Sequence, residues 1–181
     1  MANEENTPVA PIIPDLNRKE VVDRKSGDNF LDWDAYGTYV LAVRQWRFEP
    51  GKRNNPSWRA HVVVLSSTNQ AYPVGRATAL HFPVGRTGTA TDPGRPERDD
   101  RVIDDFIRAV FRKRRGDASF DAKEAFKALA AKGKVDHDQF RFMFIRKPGN
   151  TVPILDKKTR QVNDVTFPKD TFEIAPEMVA K

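Results

Sequence analysis

The sequence has no cysteine in its 181 residues, which excludes a disulfide framework and every metal site that depends on thiolate ligands. It has no apolar run of about 18 residues, so no segment reads as a membrane-spanning helix. Its N-terminus lacks the charged-then-apolar order of a secretory signal. Histidine is scarce: His61, His81 and His137 stand at spacings that make no ligand pattern, so no metal is expected. The glycine-rich string VGRTGTATDPG lacks the GK[ST] ending of a phosphate loop, and no Ser-His-Asp or Lys-Glu grouping can be argued from spacing. The expectation is a non-catalytic, cytoplasmic chain without a cofactor, of a length for one domain.

What the sequence does have is positive charge, unevenly placed. The formal net charge is +6 and the isoelectric point about 9.6. Residues 1–35 hold eight acidic and four basic side chains, so the remainder carries a net +10. A field of that sign concentrates polyanions and speeds their capture. Residues 1–30, with Pro8, Pro11 and Pro14 and no periodicity, read as a flexible acidic arm with a short docked piece at Ile12 and Ile13. The arm could occupy a cationic groove when no polyanion is bound. Residues 31–181 read as the folded domain.

Within that domain, Tyr36–Phe48 (YGTYVLAVRQWRF) reads as a long strand, Ser57–Leu65 as its return across the turn Glu49–Pro56, and Val74–Phe82 as a third strand. A Gly/Pro/Thr-rich loop over residues 83–98 leads to a helical pattern from Arg101 to Arg115. There Asp99 and Asp100 sit at the start and Arg108 with Arg112–Arg115 at the end, as a helix dipole favours. A second helix is predicted over Ser119–Lys132, closed by Gly133. Gln139–Lys147 (QFRFMFIRK) reads as a strand ended by a Pro148–Gly149 turn, and Asp164–Ile174 as the last strand.

The densest constellation is the first hairpin, where Arg44, Trp46, Arg47, Phe48, Lys52, Arg53, Trp58 and Arg59 face a single acid, Glu49. Single-stranded nucleic acid needs this mixture, because cations follow phosphates while aromatic faces stack on exposed bases. Trp46 shares its strand face with Arg44 and Phe48 and is expected to point outward. Trp58 begins a face that runs into Ala60, Val62 and Val64, which leaves core and surface both open. Arg76 on the third strand, Arg86 in the loop, and the run Arg112, Lys113, Arg114, Arg115 are further candidate phosphate contacts. Phe140, Phe142 and Phe144 alternate as core residues do. Asp99, Asp100, Asp104 and Asp105 could serve a magnesium-dependent nuclease, but helix capping is the simpler account.

Three strands, a helical insertion and two strands give a mainly β chain. That is the element order of a five-stranded OB-like Greek-key barrel with one or two helices between strands 3 and 4. Through YGTYVLAVRQW, WRAHVVVLSS, VGRATALHFPVG, DDRVIDDFIRAV, FRFMFIRK and VNDVTFP, the chain resembles phage-encoded single-stranded-DNA-binding proteins of this type over residues 36–174. The resemblance implies sequence-tolerant binding of single-stranded DNA, or RNA, across the first three strands and their loops. It further implies a role in phage DNA replication or recombination in the host cytoplasm, beside replication or recombination proteins, as a monomer or homodimer. The chain ends in PEMVAK rather than in an acidic tail tipped with Phe, so recruitment of partners through such a tail is not expected. A protein–protein scaffold and a small nuclease are the competing expectations.

Overall fold

The computed structural model describes residues 11–14, 34–50, 56–90 and 92–177. Lys52, Arg53 and most of the acidic arm lie outside them. The chain builds β1 (Gly37–Glu49), β2 (Ser57–Ser67) and β3 (Ala77–Pro83), then α1 (Arg95–Val110) and α2 (Ala122–Ala131), then β4 (Arg141–Leu155) and β5 (Val162–Ile174). The strands form one five-stranded sheet in the order β3-β2-β1-β4-β5, with every neighbouring pair antiparallel. The architecture is therefore mainly β, as expected, with both helices between β3 and β4. The two edge strands meet through side chains, Phe82 of β3 lying 5.7 Å from Phe172 of β5 between ring centroids. The sheet thus curls until its edges face one another, with α1 packed on β5, β4 and β3.

The inner face of the curl holds the core. Tyr39, Leu41 and Val43 of β1, Ala60, Val62 and Val64 of β2, Leu80 and Phe82 of β3, and Phe142 and Phe144 of β4 are all sealed from solvent. Period-2 alternation places them there, and Ile103, Phe106 and Ile107 of α1 and Phe126 of α2 close over them. Phe142 and Phe144 thus take the core positions expected of them, while Phe140 is half-buried.

Trp46 departs from its expected outward position. It is 2% exposed, packed between Trp58 (5.2 Å, stacked) and Phe106 (5.0 Å). The cause is a β-bulge. Val43 pairs with Val62 and Gln45 with His61, leaving Arg44 unmatched. One extra residue inverts every later side chain, so the inward set passes from 39, 41 and 43 to 46 and 48. Arg44 is fixed at the bulge by Asp138, at 2.7 Å, and by the His137 carbonyl, which accepts from it at 2.9 Å. Trp58 is also buried, at 5% exposed, and its indole N–H donates to the Ile12 carbonyl at 2.7 Å. Pro11–Pro14 therefore docks, as expected of that piece, with Ile12 against the core and Pro14 buried. Ile13 instead stays 46% exposed.

The helices shift as well. α1 starts at Arg95, after Gly94 and with a proline in its first turn, and not at the aspartates. Asp99 and Asp100 therefore lie within the helix and do not cap it. α1 stops at Val110 because Arg112 adopts the left-handed φ of 58°, so Arg112–Arg115 is a connecting loop and no helical terminus. α2 is capped by the Asp121 carboxylate, which accepts from the Lys123 and Glu124 backbone N–H groups, and is followed by Gly133 at φ 67°. β4 does not turn at Pro148–Gly149. It runs on to Leu155 with a bulge between Pro148 and Thr151.

Candidate nucleic-acid interface

On the outer face of the sheet, the paired residues form cross-strand rows. Arg47, Arg59 and His81 make one row, Gln45, His61 and Ala79 the next, and Ala42 stands between Val63 and Arg141. Val40, Met143 and Glu173 follow, then Thr38, Ile145 and Thr171, and finally Lys147 opposite Lys169. Cations stand at both ends of this face, and between them small and aliphatic side chains are mixed with Gln45, His61, Arg141 and Glu173. Among the described residues of β1–β3, no Trp, Tyr or Phe stands on it; the aromatics of the first hairpin all face inward, Phe48 half-buried against Trp58. The stacking platform expected there is absent.

The hairpin's described cations, Arg44, Arg47 and Arg59, are each paired with a carboxylate. Glu49 pairs with Arg47 at 2.7 Å and with Arg59 at 3.1 Å, and lies 3.8 Å from His61. Burial pushes the Glu49 carboxyl up, but the Arg47 hydrogen bond and the Arg59 and Arg47 charges outweigh it and hold the group below its ordinary value. Burial, helped by Arg47, pulls His61 below its usual pKa despite Glu49.

The other expected contacts are scattered. Arg76 lies over the Tyr72 ring at 4.2 Å. Arg86 pairs with Asp99, its Nε donating at 2.7 Å. Arg112 donates to the Ala175 carbonyl at 3.2 Å, Lys113 lies 3.6 Å from Asp117, and Arg115 pairs with Asp105. Asp104 is taken by Arg108 at 2.9 Å. The carboxylates of Asp99, Asp104 and Asp105 are thus each held by a different arginine, and the described residues contain no group of three or more His, Asp or Glu able to hold a metal.

The strongest unpaired charge lies where the sequence reading placed none. β1 accompanies β4 only as far as Gly37 opposite Arg146; beyond that rung, β4 and β5 continue alone as a two-stranded ribbon from Lys147–Lys169 to Leu155–Val162. The root of the ribbon is pinned by Arg146 and Asp170, a bidentate pair 2.7 Å apart with side chains 0% and 2% exposed. Beyond it Lys147 faces Lys169 directly, and the tip carries Lys157, Lys158 and Arg160. All five are exposed, with side chains unpaired among the described residues. The Asp156 carboxylate turns back onto the Lys158 and Thr159 backbone N–H groups at 2.7 and 3.3 Å. Phe167 lies half-buried on the face shared with Lys169 and Val165, outside the core cluster. Val152, Ile154, Leu155 and Val162 are 40–65% exposed. The available signal was the alternation of TVPIL and VNDVT about DKKTRQ, which reads as a hairpin.

No protein-family model matches this chain, and no curated protein is significantly similar to it. Among the described residues, no helix is long and apolar enough to cross a membrane. The assignment of a function therefore rests on the ribbon and the outer face.

Proposed function

We propose that this chain is a non-catalytic binding protein for single-stranded nucleic acid, gripped at its backbone by the β4–β5 ribbon and laid along the outer face of the sheet. The observation that carries the reading is the distribution of free cations. Among the described residues, twelve lysines and arginines outside the ribbon are tied to carboxylates: Arg44, Arg47, Arg59, Arg86, Arg95, Arg98, Arg108, Arg112, Lys113, Arg115, Lys127 and Arg146. The segment Lys147–Lys169 has five cations and two carboxylates, a net +3, beside exposed aliphatic side chains and Phe167. Cations supply the sequence-independent backbone term, while aromatic and aliphatic surface suits bases that are not hidden in a duplex.

The strand order supports an oligonucleotide-binding barrel opened between β3 and β5, since closing that gap would complete the five-stranded ring with its helix between strands 3 and 4. A DNA target in replication or recombination is the version that the sequence resemblance favours. A protein–protein scaffold draws support from Leu155 and Val162, 58% and 65% exposed at the ribbon tip; it requires association that ignores salt.

Titrating labelled oligo-dT, the matching duplex and an oligo-U RNA by anisotropy over several salt concentrations separates the readings. Five phosphate contacts on a single strand give a log–log salt slope of about −3.5, at roughly 0.7 per phosphate. Tighter binding of the duplex, or an affinity indifferent to salt, would overturn the proposal.

A further inference from the structure

Where α1 ends against β5 the surface opens into a cleft of about 360 Å³, a volume within the range of small-molecule sites. Its floor is apolar, formed by Ala109 of α1 and by Phe172 and Ile174 of β5. Its rim is the loop that breaks α1 at Arg112, which presents Lys113, Arg114 and Arg115. Arg114 is exposed with its side chain unpaired among the described residues. The pairs holding Lys113 and Arg115 have cation side chains 43% and 44% exposed, and such exposed pairs yield cheaply to a competing anion. Asp105 and Glu173 add hydrogen-bond acceptors at the edge. An apolar floor, a cationic rim and a few acceptors match the three parts of a nucleotide: base face, phosphate and base amino group.

The cleft and the ribbon share β5, an edge strand bonded only to β4; Lys169 at the ribbon root lies five residues before Ile174 in the cleft, roughly 17 Å at about 3.4 Å per residue. We propose that the α1–β5 cleft is a nucleotide site, in which a strand held on the ribbon seats one base on Phe172 and Ile174 and its phosphate on Arg114 and Lys113. This rests on the single-strand reading above and supplies the base contact that the first hairpin lacks.

The test compares dT6 with dT20 on the full chain. The double change Lys113→Glu with Arg114→Glu should lower dT20 affinity about tenfold and dT6 affinity less than threefold. Lys123→Glu with Lys127→Glu, an equal change of charge on α2 outside the cleft, should cost less than threefold on either. In the unaltered protein, dT20 should shift the Ile174 methyl resonance and dT6 should not. A loss no greater than that of the α2 control, or an Ile174 methyl unmoved by saturating dT20, would overturn the cleft while leaving the ribbon standing. Absence of any oligo-dT binding by the unaltered protein would overturn both.

Discussion

Trp46 shows how far one side chain's role depends on a neighbour. Its indole touches Trp58, Phe82, Phe106 and Phe126, so Trp46→Ala opens a cavity at the centre of the aromatic core. Chemical denaturation should find it less stable by about 3–5 kcal/mol, while the folded fraction keeps its affinity for oligo-dT. Weakened binding at unchanged stability would mean that the ring faces the ligand. The alternation of β1 was legible in the sequence, and so was the inward path of Tyr39, Leu41 and Val43. The inversion at Arg44 was not, because its cause is a tertiary pairing with Asp138 and the His137 carbonyl, 94 and 93 residues away. His61 gives a second test at this scale. Its folded pKa lies below the ordinary value near 6.5, so below that value the unfolded chain binds more protons than the folded one. The stability it contributes is present above about pH 6.5 and is lost below it, as pH falls through the lowered folded pKa. Nucleic-acid phosphates on the outer face act oppositely, favouring the charged imidazole, so affinity should rise as pH falls from 7.5 to 5.5. His61→Gln should flatten both profiles, read by thermal unfolding and by anisotropy.

At the scale of elements, the first three strands and both helices were legible because each has a clear period, while the ends of α1 were not, since it runs from Arg95 to Val110 and not from Arg101 to Arg115. The ribbon was not, because Pro148–Gly149 has the composition of a turn. A turn there would reverse the chain; a bulge only bends it. Pro148 stands directly opposite Pro168, two residues without N–H donors, which a ladder tolerates where its flanks are unpaired. The bulge then requires Gly149, since a Cβ there would sit 2.6 Å from the Phe167 carbonyl oxygen. The ribbon's charge makes a prediction of opposed signs. Lys147 and Lys169 are directly opposite like charges, an arrangement that destabilises a strand pair. Lys169→Glu converts it to an attractive pair and should raise stability by about 0.2–1 kcal/mol. The same change removes a phosphate contact, so oligo-dT affinity should fall and the salt slope should shrink by about 0.7 or more. Stability and binding moving in the same direction would show that the lysine pair serves the fold.

On the scale of the whole molecule, the two ends of β1 have different duties. The Gly37 end adjoins the root of the ribbon, and the Glu49 end is closed by Pro11–Pro14. β1 is thirteen residues long, so its ends are roughly 40 Å apart at about 3.3 Å per residue. The docked piece does structural work that its sequence barely advertised. It accepts the Trp58 indole hydrogen bond, and Ile12 packs over Gly85, whose φ of 65° and lack of a Cβ leave room for the Ile12 side chain. An arm read from its composition alone would be removable without cost. Deleting residues 1–14 should instead lower stability by about 1–3 kcal/mol, the range for an indole donor left without its partner, with the loss of Ile12 burial adding to it. Affinity for oligo-dT at moderate salt should stay within twofold, because Ile12 packs on Trp58 and Gly85, which belong neither to the ribbon nor to the α1–β5 cleft. Denaturation and anisotropy on the same preparation measure the two effects together. Unchanged stability would show that Pro11–Pro14 does not hold Trp58 in solution. A large gain in affinity would show instead that the segment occupies part of the binding surface at the Glu49 end of the sheet.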